Sequence, residues 1–350
     1  MKLKKVVKFF SKWQVQLIIL LAHILLSVVG FYNFVFNYHL SEVYLVQSVN
    51  EKQQIISKSG ARSVENFLHS IDNQLSSFVF SFAKIDGNTA IDKEATRQQF
   101  AEFIKRSKPP ISGIALYDES GTLIIIENKE HNKLGEGVDF SSRDFITWST
   151  DPLNKGKSFI TNPYISASGS TQGQNIMAIV TPIYFGNKFK GTLAIRFLVN
   201  QFKDAFINPL ATAIDEDSFI IDNNNVVIAG DVGLLNKNLN DYARQSKWHN
   251  YTDFNDKLNA VLKKDSTNTS WNFAFPNQKV KNYLVASSKI DLPNTDKDLY
   301  LILLTPQSGT LKPLSPLRYY GTVWIWISII LTFLGGVIYI VVKRLSKESV

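Results

Sequence analysis

Five histidines, His23, His39, His69, His131 and His249, are the side chains best suited to metal or acid–base chemistry, and they are scattered along a chain of 350 residues. None belongs to an H-x-x-H or H-E-x-x-H pair, so the helical spacing that would place two imidazoles on one metal is missing. The chain has no cysteine, which removes thiolate nucleophiles, thiolate metal sites and disulfides together. No nucleophile elbow, P-loop, G-x-G-x-x-G or S-x-x-K arrangement stands in a supporting context. The expectation is a protein that is not an enzyme and carries neither metal nor cofactor. What remains is a set of aromatic residues, Tyr117, Phe145, Trp148, Tyr164 and Tyr184, whose types suit the lining of a small-molecule pocket and equally suit a core.

Two uncharged apolar segments, residues 13–36 and 319–342, frame this polar middle. Each is long enough to cross a hydrocarbon layer of roughly 30 Å as a helix. Lys2, Lys4, Lys5, Lys8 and Lys12 precede the first, and Lys343, Arg344 and Lys347 follow the second. The opposite flanks carry only Glu42 on one side and Lys312 and Arg318 on the other. The positive-inside rule then places both termini in the cytoplasm and residues 37–318 outside, a bitopic protein of the plasma membrane. Most of the formal charge of +8 lies in the two ends, so the basic balance reports topology and gives no nucleic-acid partner. A cleaved signal peptide is the competing reading of the first segment, but its apolar stretch is long and no A-x-A site closes it. Tyr32, Tyr38, Tyr319, Tyr320, Trp324 and Trp326 lie near the segment ends, where amphipathic rings suit the headgroup region.

The expected organisation is residues 1–12 cytoplasmic, 13–36 and 319–342 transmembrane, 37–318 extracytoplasmic, and 343–350 a short tail. After the first span, Val64, Phe67, Leu68, Ile71, Leu75, Phe78, Val79 and Phe82 recur at steps of three and four, which predicts one striped helix over about residues 40–84. Gly87-Asn88 breaks it, and a shorter helix over 93–106 ends at Pro109-Pro110. Strands are predicted over 111–117, 122–127, 175–184 and 191–199, with a short helix capped by Ser141-Ser142 running through Trp148. A second unit repeats the order: a helix over 206–214, a hairpin of 218–222 and 226–229, a helical or irregular insert over 239–263, then strands over 271–275, 283–290 and 299–305. The fold class is α+β: a long N-terminal helix bearing two tandem antiparallel-sheet modules, residues 93–205 and 206–306, flanked by two transmembrane helices.

Four stretches carry a family resemblance: Ser142-Arg143-Asp144-Phe145, the run from Gly156 to Ile165 (GKSFITNPYI), Ala178 to Tyr184 (AIVTPIY), and Gly191 to Phe197 (GTLAIRF). In that order and spacing the chain resembles the double Cache sensor domains of bacterial chemoreceptors, histidine kinases and diguanylate cyclases. The match is specific over about residues 110–205 and weaker over 215–306. The resemblance implies two PAS-like modules on a long helix, with a small ligand in the membrane-distal one. Arg143 matches the arginine that holds a carboxylate in relatives recognising amino acids, and Tyr164 matches a pocket tyrosine. A guanidinium fork offers parallel donors to a planar anion, which suits that role.

Other positions depart from the amino-acid pattern. That pattern has tyrosine where Val138 stands, tryptophan and tyrosine at Phe145 and Ile146, and aspartates at Ser166 and Arg196. A cation at Arg196 serves an ammonium poorly, so an anion without an amine is the more natural ligand. Arg196 equally suits a structural ion pair with Asp144 or Glu127. The candidate ligand-binding residues are thus Arg143, Tyr164, Arg196, Phe145 and Tyr117. The expected function is a membrane-anchored receptor component sensing a small carboxylate. The alternative is a cell-envelope binding or assembly protein reusing the fold. Residues 343–350 are too few for a cytoplasmic output domain, so a homodimer or a separate signalling partner is expected to act through the transmembrane helices, with Gly321 and Gly335-Gly336 as a small-residue surface.

Overall fold

The computed structural model describes residues 13–83, 92–211, 217–246, 251–292 and 294–348. Lys84, Gly87-Asn88, the expected helix end at Ile214, and the lysines before the first span lie outside these residues. The chain forms two compact units, one of Met1–Val49 with Ser308–Val350 and one of Asn50–Gln307.

Helix α1 spans Trp13–Ala83, so the first apolar segment and the striped helix expected from residue 40 are one element. The continuity has a local reason, since no proline interrupts these residues and Gly30 and Gly60 cost only about 1 kcal/mol each. In the second unit the stripe Ala61, Val64, Leu68, Ile71, Leu75, Phe78 and Phe82 is buried, matching the period read from the sequence. Helix α2, Lys93–Arg106, starts where the Asp92 carboxylate accepts the N–H groups of Glu94 and Ala95 at 3.0 and 3.1 Å.

The first sheet joins β1 (Ile111–Asp118), β2 (Leu123–Glu127), β3 (Phe159–Ile160), β4 (Tyr164–Ile165), β5 (Asn175–Phe185) and β6 (Lys188–Leu198). Its order is β2-β1-β6-β5-β3, with β4 also pairing β5. Asp118 closes the first hairpin by accepting the N–H groups of Ser120 and Thr122, and Gly121 supplies the positive φ of 86°. Between β2 and β5 lies helix α3, Asp144–Thr150. Ser141-Ser142 do not cap it: Arg143 occupies the cap position without a side-chain bond, and the Ser141 N–H is spent on Asp139.

Helical turns over Val199–Phe202, Lys203–Ile207 and Asn208–Leu210 follow, beginning upstream of the helix expected over 206–214. The second sheet holds β7 (Asp217–Asp222), β8 (Val227–Ala229), β9 (Ser266–Phe273), β10 (Lys281–Ile290) and β11 (Leu299–Pro306). Its order, β8-β7-β11-β10-β9, repeats the main path of the first sheet, with β4 alone lacking a counterpart among the described residues. Helices α4 (Leu239–Gln245) and α5 (Tyr251–Leu262) form the insert. Strand β9 begins five residues before the stretch expected from Trp271 and ends before Phe275, because polar Ser266 to Ser270 pair along β10 without apolar alternation.

One apolar core holds the α1 stripe together with residues of both sheets, including Ile114, Leu116, Ile195 and Phe197 of the first and Ile220, Ala286, Leu301 and Leu303 of the second. Polar contacts set the helix register. The Ser57 hydroxyl donates to Ser288 Oγ at 2.9 Å, Gln54 to the Ser287 carbonyl at 3.2 Å, Gln53 to Thr305, and Ser158 to the Asp72 carboxylate.

In the other unit α1 lies beside helix α6, Ser315–Glu348. Both helices are long and apolar enough to cross a membrane, and none of either apolar window is buried by protein. Gly321 lies against the Phe34 ring and Gly335 near Leu20, so these two glycines are used within this chain, whereas Gly336 meets nothing within 4 Å.

Leu75 is wholly buried at the middle of the stripe. Leu75→Ala should destabilise the domain by about 2–5 kcal/mol, read as a lowered urea midpoint of the full chain in detergent by tryptophan fluorescence.

Candidate functional site

Strand alternation divides the first sheet into two unlike faces. Ile114, Leu116, Leu193, Ile195 and Phe197 point into the common core. The opposite face carries Gly113, Ala115, Tyr117, Ala178, Val180, Ala194 and Arg196, in register as Gly113↔Arg196, Ala115↔Ala194, Ala178↔Arg196 and Val180↔Ala194. This floor of glycine and alanine is short, and larger groups stand around it: Phe140, Phe145 and Ile146, with Phe159 on β3 and Trp148 against them.

Four of the five candidate residues are linked by direct ring contacts. The Tyr117 ring lies 5.4 Å from Phe145 edge-on and 5.7 Å from Phe140. Phe145 stacks on Tyr164 at 6.4 Å, and the Arg143 guanidinium lies 5.2 Å above the Tyr164 ring. Burial pushes both phenols above their ordinary range, and the charges of Arg196 and Arg143 oppose that shift at each. Both guanidiniums therefore share the electrostatic neighbourhood of both hydroxyls. Trp148 belongs to the same cluster, packed 5.2 Å from Phe159, while the Tyr184 ring lies 5.5 Å from Phe189 and its hydroxyl donates to the Ser149 carbonyl of α3 at 3.1 Å.

Arg196 is only 1% exposed and has neither of the expected acid partners. Glu127 is taken by His131 at 2.5 Å and by Arg97 at 3.7 Å, and Asp144 accepts the Phe145 N–H. Instead the guanidinium donates to Ser168 Oγ at 2.8 Å, to Thr171 Oγ1 at 3.2 Å and to the Ser168 carbonyl at 3.4 Å. Its Nε has no hydrogen-bond partner. Gly169 makes the approach feasible: its φ is +67°, and a Cβ there would sit 2.9 Å from Nη2. Ser166 extends the network, its hydroxyl donating to the Ser168 carbonyl and meeting Thr171 Oγ1 at 3.0 Å. The sequence reading missed this hydroxyl loop. A run of small polar residues around Gly169 was its only signal, and such a run reads as surface loop.

A second missed contributor comes from the β10–β11 connection. The Asp296 carboxylate accepts the Ile160 N–H at 2.8 Å, and its pKa is pushed up to about 6 by burial, against the opposing Ile160 N–H and Lys297 charge. Asp144, beside Arg143, adds to that rise.

The same face of the second sheet is filled. Phe219, Ile221, Trp271, Phe273, Val285, Ile302 and Leu304 pack there with Phe254 and Leu258 of α5. Only the first sheet keeps a small-residue floor with a buried cation upon it.

Among the described residues no cluster of three or more His, Asp or Glu side chains could hold a metal ion. The arrangement sets a buried guanidinium on the sheet floor beside an aromatic wall, with one of its donors, Nε, unspent. Residues 41–314 match the Cache domain. The chain belongs to this family. Its Cache domain is similar in structure to the ligand-binding domain of the Pseudomonas fluorescens chemoreceptor CtaA with L-isoleucine, at TM-score 0.55 and 15% identity over 78% of this chain and 99% of that one. It is similar to the Pseudomonas aeruginosa PAO1 amino-acid chemoreceptor PctC with GABA, at 0.52 and 14% over 74% and 100%. PctB of the same organism, with L-Gln, gives 0.55 and 13% over 74% and 92%. No curated protein sequence matches the chain. These likenesses bear on the fold, two sheets on a long helix, and the match to the family carries the sensor class.

Replacing Arg196 strands the Ser168 and Thr171 acceptors in a buried place. Arg196→Met, which keeps the bulk, should destabilise the domain by about 1–3 kcal/mol, measured by the same unfolding titration.

Proposed function

We propose that this protein is a membrane-anchored sensor whose first sheet module, residues 93–205, binds a small anionic ligand through Arg143 and Tyr164, with Tyr117, Phe145 and Arg196 completing the site. One observation carries the reading: Arg143 and Arg196 share one aromatic neighbourhood, and neither makes an ion pair among the described residues. Two unneutralised guanidiniums favour an anion entering the site. An α-amino group would face the Arg196 charge and find Ser166 where an acid would serve it. That argument favours a carboxylate without an amine over the amino acids found with CtaA and PctB. Arg143 is the better clamp because it is half-buried and its guanidinium lies over the Tyr164 ring, while two nitrogens of Arg196 are already spent on the hydroxyl loop.

The thermal shift of the full chain in detergent, against acetate, succinate, benzoate and L-isoleucine, tests the site. At least one carboxylate should raise the melting temperature. Arg143→Ala should remove that shift, a loss of about ten- to a hundredfold in affinity, while moving the unliganded midpoint by no more than a few degrees. Retained affinity, or an unfolded variant, would show that Arg143 does not hold ligand.

The lysines at both chain ends support an orientation with residues 37–318 outside the cytoplasm. Protease added to spheroplasts should cut within 37–318 and spare tags on both termini. Digestion of a C-terminal tag would reverse the second crossing.

A further inference from the structure

The segment that leads into Tyr164 is not held by its own module alone. Strand β3 is two residues long and pairs with β5 on one side, as Phe159↔Val180 and Ile160↔Ile179. Its other side is occupied by the β10–β11 connection of the second sheet. The Ser158 N–H donates to the Asn294 carbonyl at 2.9 Å, and the Asp296 N–H returns to the Ser158 carbonyl at 3.2 Å, a parallel bridge centred on Ser158↔Thr295. The Ile160 N–H donates to the Asp296 carboxylate at 2.8 Å. Lys297 donates to Asn162 Oδ1 at 2.6 Å, and its ammonium lies 5.5 Å from the Phe159 ring centre. Asn236, also of the second module, donates to the Pro163 carbonyl. From Ser158 to Pro163, each residue except Thr161 is thus touched by a side chain or backbone group from beyond residue 235.

We propose that Asp296 and Lys297 are positioning residues of the ligand site on the first sheet, so that the site is held in shape by both modules and ligand capture is coupled to the β10–β11 hairpin. Phe159 and Tyr164 bracket the bridged segment, Phe159 against Trp148 and Tyr164 under Arg143. Any closure of the aromatic wall around a ligand pulls on residues 158–163, and through them on 294–298. The connection is also electrostatic. Asp296 lies within reach of Lys297 on its own loop and of Asp144 on α3, next to the proposed anion clamp. Coupling of this kind is reciprocal: what tightens the loop favours ligand, and ligand tightens the loop. Transmission needs no separate lid, since the strands flanking residues 294–298 are β10 and the central strand β11 of the second sheet.

The coupling to ligand rests on the ligand reading above, so the test has two arms on the full chain in detergent. In the first, hydrogen exchange is followed without ligand. Asp296→Ala and Lys297→Ala should speed exchange across residues 158–163 by about tenfold, and leave the amides of β7 and β11 protected. Asp296→Asn, which keeps an acceptor for Ile160, should restore protection. In the second, the carboxylate giving the largest thermal shift with the wild type is titrated. Both alanine variants should lose roughly fivefold or more in affinity, and the asparagine variant should recover most of it. Unchanged exchange at residues 158–163, or affinities equal to wild type, overturns the proposal. If neither the carboxylates nor L-isoleucine shifts the wild type while the exchange arm behaves as expected, the ligand reading fails and the mechanical bridge between the sheets stands.

Discussion

A single helix must bury the inner faces of two sheets at once, and much of the molecule follows from that demand. The α1 stripe from Ala61 to Phe82 offers one apolar row, and both sheets send aliphatic residues into the same core. Because each sheet spends one face on the helix, only its outer face remains for anything else. Side-chain size then decides between the two outer faces. The second is packed solid with Trp271, Phe273 and their neighbours, whereas the first presents alanine and glycine beneath an aromatic wall. The same strand order thus carries one outer face of bulky aromatic residues and one with a small-residue floor.

Polar groups within this apolar frame act as index marks. Ser57, Gln53, Gln54 and Asp72 on α1 each meet a partner on a sheet or its loops. A buried hydroxyl without a partner costs about 1–3 kcal/mol, so sliding α1 by one residue would forfeit several such bonds as well as the stripe. Arg196 follows the same logic on the other face. Its charge is not neutralised, but two of its three nitrogens are satisfied by a hydroxyl loop that only a left-handed Gly169 can bring close enough.

Much of this was legible in the residues, where the signal was local. The stripe of α1, the turns at Asp118–Gly121 and Gly186-Asn187, and the repeated order of elements all rest on short-range spacing, and the structure places them within a few residues of expectation. Arg143 and Tyr164 were each read as ligand residues through family resemblance, and the structure adds that the guanidinium of one lies over the ring of the other. What escaped was set by distant pairing. An ion pair with Asp144 or Glu127 was one of two readings of Arg196, the other being a ligand contact, but Glu127 is claimed by Arg97 from α2, and no spacing rule announces that. Asp296 stands in a loop without a motif around it, and only the distant pairing of β3 against that loop gives it a partner. The start of β9 was hidden because Ser266 to Ser270 carry no apolar alternation.

That hidden strand bears on solubility. A sheet edge is a row of unspent donors and acceptors, open to pairing with any extended chain that drifts past. The edge of β2 is blunted by backbone bonds from Gly137 and Val138, that of β8 by Asn236 and Lys237, and that of β3 by the loop around Asp296. Among the described residues, strand β9 closes the second sheet's order. Its run of serine, threonine and asparagine has little affinity for the dry, interdigitated interfaces that stacked strands need. The composition that conceals β9 from a hydrophobic pattern also makes it a poor template for a further strand.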